Sequence, residues 1–170
     1  MTFNIFLKIR INMILRYLLI FLPLIFGSII ASFSSFNKDT EYNNLKKSKI
    51  MPPSYVFAIV WPILYLLIGI SYYNGINNNS YYNYIIPISG LIINYSYTPI
   101  FLRLDNLILG TIIVLLTLVF ALLTFIQFYY YNKIASLLLV PYIIWLLFAL
   151  YLSYDIYIIN KKKKNLILDE

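Results

Sequence analysis

Residues 107–131 read LILGTIIVLLTLVFALLTFIQFYYY, with no charged side chain among them, and this stretch decides the solvent in which the chain folds. An α-helix rises about 1.5 Å per residue and the hydrocarbon core of a bilayer is about 30 Å thick, so a run of this length can span it. Ile112–Leu123 and Leu137–Leu152 are continuously apolar in character. Strands of a membrane barrel would instead alternate strictly over about ten residues. The stretch is a membrane-spanning helix.

Four more stretches pass the same length test, at about residues 17–33, 55–73, 84–102 and 134–159. The expectation is an all-α integral membrane protein, a five-transmembrane-helix bundle. Residues 1–160 make one domain, and residues 161–170 form a basic cytoplasmic tail. Composition agrees: 62% of the 170 residues are hydrophobic and 11% are charged, against roughly 25% charged in soluble domains. The first span follows Lys8, Arg10 and Arg16 in the manner of a signal peptide. Ser32-Phe33-Ser34-Ser35-Phe36 has no small-x-small cleavage pattern, however, so the span is kept as a mature helix. Apart from the polar, lysine-bearing segment 34–53, the connections are short, which makes consecutive helices antiparallel neighbours.

Charge orients the bundle. With five spans, Lys8, Arg10, Arg16 and Lys133 fall on one side, and Lys38, Lys46, Lys47, Lys49, Arg103 and Lys161 through Lys164 on the other, four basic residues against nine. Basic loops stay cytoplasmic, so the first loop and the C-terminus are expected there. The net charge of +7 then reads as topology and attraction to anionic lipid, not as nucleic-acid binding. The chain has neither cysteine nor histidine. That removes thiolate chemistry, the usual general base and the usual zinc and haem ligands, and with them most conventional enzyme mechanisms.

Polar and aromatic residues inside the spans mark candidate site positions. Phe57, Trp61, Tyr65 and Ile68 recur at helical spacing and form one stripe of the second span. Trp61 lies about seven residues in, roughly 10 Å deep by the helical rise, which is below the level of interfacial aromatic belts. Such a stripe suits a pocket or a helix contact. The third span is the least apolar, and Gly90, Asn94, Tyr97 and Phe101 share a face of it. A buried amide at membrane depth needs a hydrogen-bond partner, so Asn94 pairs either with another helix or with a ligand. In the fifth span Pro141, Tyr142, Trp145, Ala149 and Leu152 lie along one side. A large flat side chain one turn from a small one makes a slot, or a place where a neighbouring helix comes close.

Three motifs, read in order, carry a resemblance: Pro52-Pro53 with Trp61 and Tyr65, Asn94 before Tyr95-Ser96-Tyr97-Thr98-Pro99, and Pro141-Tyr142 with Trp145, Phe148 and Ala149. From about Glu41 to Asn160 the chain resembles the translocator protein family, also called the tryptophan-rich sensory protein (TspO) or peripheral benzodiazepine receptor family. The resemblance implies a homodimeric five-helix receptor or transporter. Its intrabundle pocket would bind porphyrin, a tetrapyrrole such as protoporphyrin IX, or else sterols or benzodiazepine-site drugs. The tetrapyrrole would be a ligand, and no cofactor is required. Trp61, Asn94, Trp145 and Ala149 match the family's ligand-contacting positions, with Phe57, Tyr65, Tyr97, Tyr142 and Phe148 around them. The loop 34–53 would form a lid, with Tyr42, Lys46, Lys47 and Lys49 near the ligand. The membrane would be the cell membrane in a bacterium and the mitochondrial outer membrane in a eukaryote.

The resemblance has departures. Glu41-Tyr42 stands where the family usually has Trp-Tyr, Lys47-Ser48 where it has Lys-Pro, and Tyr55 and Tyr97 where many members have tryptophan. Some bacterial members are associated with light-dependent porphyrin breakdown, for which Trp61 and Trp145 would be the photochemical residues here. Leu152, Tyr157 and Lys161 also fit a weak sterol-contact pattern.

Overall fold

The chain is described from a computed structural model covering residues 17–18, 20–32, 45–76, 82–103 and 106–168. All regular structure among these residues is helical. The elements are α1 (Ile20–Ser32), α2 (Ser54–Gly75), α3 (Tyr82–Arg103), α4 (Leu107–Tyr131), α5 (Lys133–Leu137) and α6 (Val140–Leu168). By length and composition α2, α4 and the unit Lys133–Lys161 can each cross a membrane, and α1 is a shorter apolar helix.

Local chemistry sets the helix ends. The Asn106 side chain accepts from the Leu109 N–H at 3.0 Å and caps α4. Asn132 caps α5 in the same way, accepting from the N–H groups of Ile134 and Ala135 at 3.0 and 3.2 Å. Each bond satisfies a donor that a helix start leaves open. The span expected at 134–159 consists of two helical pieces, α5 and α6, with a turn at Leu138 and Leu139. Pro141 accounts for the break, because it has no N–H to give to the carbonyl of Leu137.

α4 is central, packing against α3, α5 and α6, while α2 meets α5 and α6. The core between them joins Leu64, Ile68 and Tyr72 of α2 to Leu118, Ala121 and Phe128 of α4, and to Ala135, Leu139, Tyr142 and Leu146. Thr117 and Thr124 are buried in the same helix, and their hydroxyls are satisfied locally by the carbonyls of Ile113 and Phe120, each at 2.8 Å. α1 crosses α2 at Gly69, where the Ile20 carbonyl occupies the space a Cβ would need. A small residue is what permits backbones to approach so closely.

The prolines of the spans leave carbonyls that must be satisfied in other ways. Pro87 of α3 deprives the Asn83 carbonyl of its helical partner, and Nε2 of Gln127 in α4 reaches that oxygen at 3.1 Å. The Tyr72 hydroxyl donates to the Pro87 carbonyl at 2.8 Å. These bonds tie α3 to both α4 and α2. They illustrate how polar backbone freed inside a membrane is paired by neighbouring helices.

Candidate functional site

Phe57, Trp61 and Tyr65 of the α2 stripe and Asn94 and Tyr97 of α3 look onto a chamber of about 490 Å³, while Ile68 of the same stripe is buried in the core. α2 contributes Phe57, Ala58, Trp61, Pro62 and Tyr65, and α3 contributes Asn94, Tyr97 and Thr98. Val114 and Thr117 of α4 and Leu146 and Ala149 of α6 lie on the far wall, and Gly27, Ser28, Ile30 and Ala31 of α1 close it. A second chamber of about 160 Å³ shares Phe57, Trp61, Tyr97, Thr98 and Ala149 with the first, and adds Met51, Trp145, Leu152, Ser153 and Ile156. Ala149 and Trp61 therefore sit at the junction.

The aromatic walls are braced by one another and by hydrogen bonds. The Trp61 and Tyr65 rings are 5.3 Å apart between centroids. Tyr65 in turn packs on Tyr95 at 5.6 Å and donates its hydroxyl to Oδ1 of Asn94 at 2.9 Å. Gly27 matters here, since the Tyr65 ring fills the place a side chain on α1 would take. Tyr95 donates to the Pro23 carbonyl at 2.7 Å, which ties α3 to α1. At the second chamber the Tyr97 and Ser153 hydroxyls are 3.3 Å apart. Trp145 is held between Phe57, edge-on at 5.6 Å, and Phe148 at 5.5 Å.

Above the second chamber, the segment before α2 is pinned to α6. The Lys46 N–H donates to Oδ1 of Asn160 and the Asn160 Nδ2 donates back to the Lys46 carbonyl, both at 3.0 Å. Ser48 is buried and Met51 reaches the chamber wall.

A family model described as TspO/MBR family matches residues 19–158. The chain belongs to the TspO/MBR family. It is 33% identical to the tryptophan-rich protein TspO of Archaeoglobus fulgidus, over 75% of this chain and 85% of the relative. The tryptophan-rich protein TspO of Chlorobaculum tepidum is 30% identical over 70% of this chain and 78% of that protein. Protein CrtK of Rhodobacter capsulatus is 28% identical, over 78% and 86% respectively. Membership and the apolar helices together make this TspO/MBR chain a multi-pass integral membrane protein.

Not every position singled out in this TspO/MBR sequence meets at the chambers. Phe57, Trp61, Tyr65, Asn94, Tyr97 and Ala149 line the larger one, while Trp145 lines only the smaller. Tyr142 is buried in the core, and neither it nor Phe148 is among the lining residues. Asn94, read as pairing with a helix or with a ligand, has Tyr65 of α2 as its partner and still lines the larger chamber. Lys46, Lys47 and Lys49 are exposed and outside both linings. Tyr42 lies outside the described residues. Leu152 lines the smaller chamber, whereas the Lys161 ammonium lies over the Tyr157 ring, 5.7 Å from its centroid, farther along α6. The α1 wall, Thr117 and Ser153 escaped the sequence reading. Small residues at Gly27 and Ala31, one turn apart, were the available signal for α1.

Proposed function

We propose that this protein binds a flat, mostly apolar molecule inside its helix bundle, with tetrapyrroles such as protoporphyrin IX as the leading ligand class and sterols or benzodiazepine-site drugs as molecules of related shape. One observation carries the reading: a single chamber of about 490 Å³ collects Trp61, Tyr65, Asn94 and Ala149 from three helices. That volume lies within the range of small-molecule sites, about 300–1,000 Å³, and aromatic walls with few polar groups suit a flat apolar body. The segment pinned at Lys46 and Asn160 supports a lid over this end of the bundle, whose exposed lysines would meet ligand carboxylates near the surface. Receptor-like binding or transport in a homodimer is the form this function takes.

The test is a spectral titration of purified protein with protoporphyrin IX in the dark. Saturable binding is expected, weakening modestly as salt rises because exposed charge pairs are screened. Absence of saturation sinks the reading, and illumination of the complex distinguishes binding from porphyrin breakdown.

Orientation follows from the four-to-nine division of basic residues. The C-terminus and the first loop are cytoplasmic. Reporter fusions after Lys164 and within residues 77–79 should report opposite sides; both on one side overturns the arrangement.

A further inference from the structure

Pro62 lies in the interior of α2. Proline has no N–H, so the carbonyl of Ala58, four residues earlier, loses the donor that a regular helix supplies. A carbonyl left this way inside a membrane is costly unless another donor reaches it. In α3 the protein meets the same need from within, since Gln127 reaches the Asn83 carbonyl that Pro87 frees. No side chain among the described residues donates to the Ala58 carbonyl. Pro99 frees the Tyr95 carbonyl in the same manner, but Tyr95 is outside the chamber lining.

The carbonyl that loses its regular helical donor to Pro62 belongs to the wall of the larger chamber. Ala58 and Pro62 both line it, as do Trp61 and Tyr65 on the same face of α2, and Ala58 is exposed. A helical carbonyl points along the axis toward the residue four ahead, so the Ala58 oxygen is directed between two lining residues. Asn94 supplies the complementary group. Its Oδ1 accepts from Tyr65, while its amide nitrogen, a donor, makes no bond among the described residues. Asn94 is only 5% exposed and lines the same chamber.

We propose that the Ala58 carbonyl, released by Pro62, is a ligand-binding acceptor, and that with the Asn94 amide it selects a flat apolar ligand bearing a peripheral N–H or O–H donor beside an acceptor, as in a lactam. This rests on the ligand-binding function proposed above and narrows it. A closed porphyrin keeps its N–H groups inside the macrocycle, and its ionised propionates at the rim only accept hydrogen bonds, so it offers the Ala58 carbonyl no donor. An open-chain tetrapyrrole displays lactam N–H and C=O groups at its ends. Among tetrapyrroles the chamber therefore discriminates in favour of the open-chain form.

The experiment compares biliverdin and protoporphyrin IX in the dark on the wild-type protein and on Pro62→Ala. The substitution returns an N–H at position 62 that occupies the Ala58 carbonyl. Any general change in the chamber wall acts on both ligands and cancels in the ratio. The ratio of biliverdin to protoporphyrin affinity should fall about three- to tenfold, the effect of one hydrogen bond. A ratio unchanged from the wild type overturns the proposal and leaves ligand binding intact. Failure of the wild-type protein to bind either ligand removes the binding function and this inference with it.

Infrared spectra of wild-type protein carrying carbonyl-labelled alanine give a second measurement that does not depend on how Pro62→Ala folds. The Ala58 band, assigned by its loss in Ala58→Ser, should move to lower frequency with biliverdin and stay in place with protoporphyrin IX. A band unmoved by biliverdin also overturns the proposal.

Discussion

Ala149→Phe should reduce protoporphyrin IX binding by tenfold or more while the protein stays folded. Ala149 belongs to the lining of both chambers, so a ring placed there projects into the passage between them. A tenfold loss corresponds to about 1.4 kcal/mol, and steric overlap with a rigid flat ligand exceeds that easily. Enlarging a side chain inside a packed core costs about 1–3 kcal/mol of stability. Here the residue is half-buried and borders open volume, so most of that cost is avoided. Measuring binding and thermal unfolding on the same sample decides the matter. Normal binding removes Ala149 from the site. A large drop in the unfolding temperature identifies the position as a helix-packing contact, the other meaning its spacing beside Trp145 allows.

The helices were legible because length and apolar continuity report directly on the bilayer, as in the run at residues 107–131. The local break at Leu138 and Leu139 was less so. Pro141 signals the lost hydrogen bond but not where the chain turns, because a membrane helix can also absorb a proline by kinking. At the site, the α2 stripe and Asn94 were legible from helical spacing and from the cost of burying an amide, and Tyr65 then supplied the partner on a neighbouring helix. Tyr142 shows the limit of that reasoning. It shares a side of α6 with Ala149 in any helical projection, yet a projection does not say where a chamber ends and a core begins. Tyr142 packs in the core with Leu139 and Leu146, nearer the start of the helix. The α1 wall was illegible for a related reason. Its contribution depends on small residues that leave room, and room is a property of what packs opposite, here the Tyr65 ring against Gly27.

Trp61→Ala should weaken protoporphyrin binding far more than Trp145→Phe, although both positions are tryptophans of the same sequence motif set. Trp61 lines both chambers and leans on Tyr65, so its indole is a wall of the space a flat ligand fills. Stacked aromatic contacts contribute about 0.5–1.5 kcal/mol beyond the area they bury. Losing contact and area together should lower affinity by roughly tenfold or more. Trp145 lines only the smaller chamber, wedged between Phe57 and Phe148. Its indole nitrogen is buried, and no group among the described residues accepts from it. An unpaired buried donor is a cost, about 1–3 kcal/mol. Phenylalanine removes the donor while keeping an aromatic ring against Phe57 and Phe148, so Trp145→Phe should leave thermal stability unchanged or raised, and porphyrin affinity within about threefold. Calorimetric binding and unfolding of the two variants separate the roles. Equal affinity losses at the two positions would mean that the ligand lies across both chambers and uses the Trp145 N–H, and the larger chamber would lose its standing as the principal site. A loss of stability in Trp145→Phe with affinity intact would instead make the indole a packing element of α6 against α2.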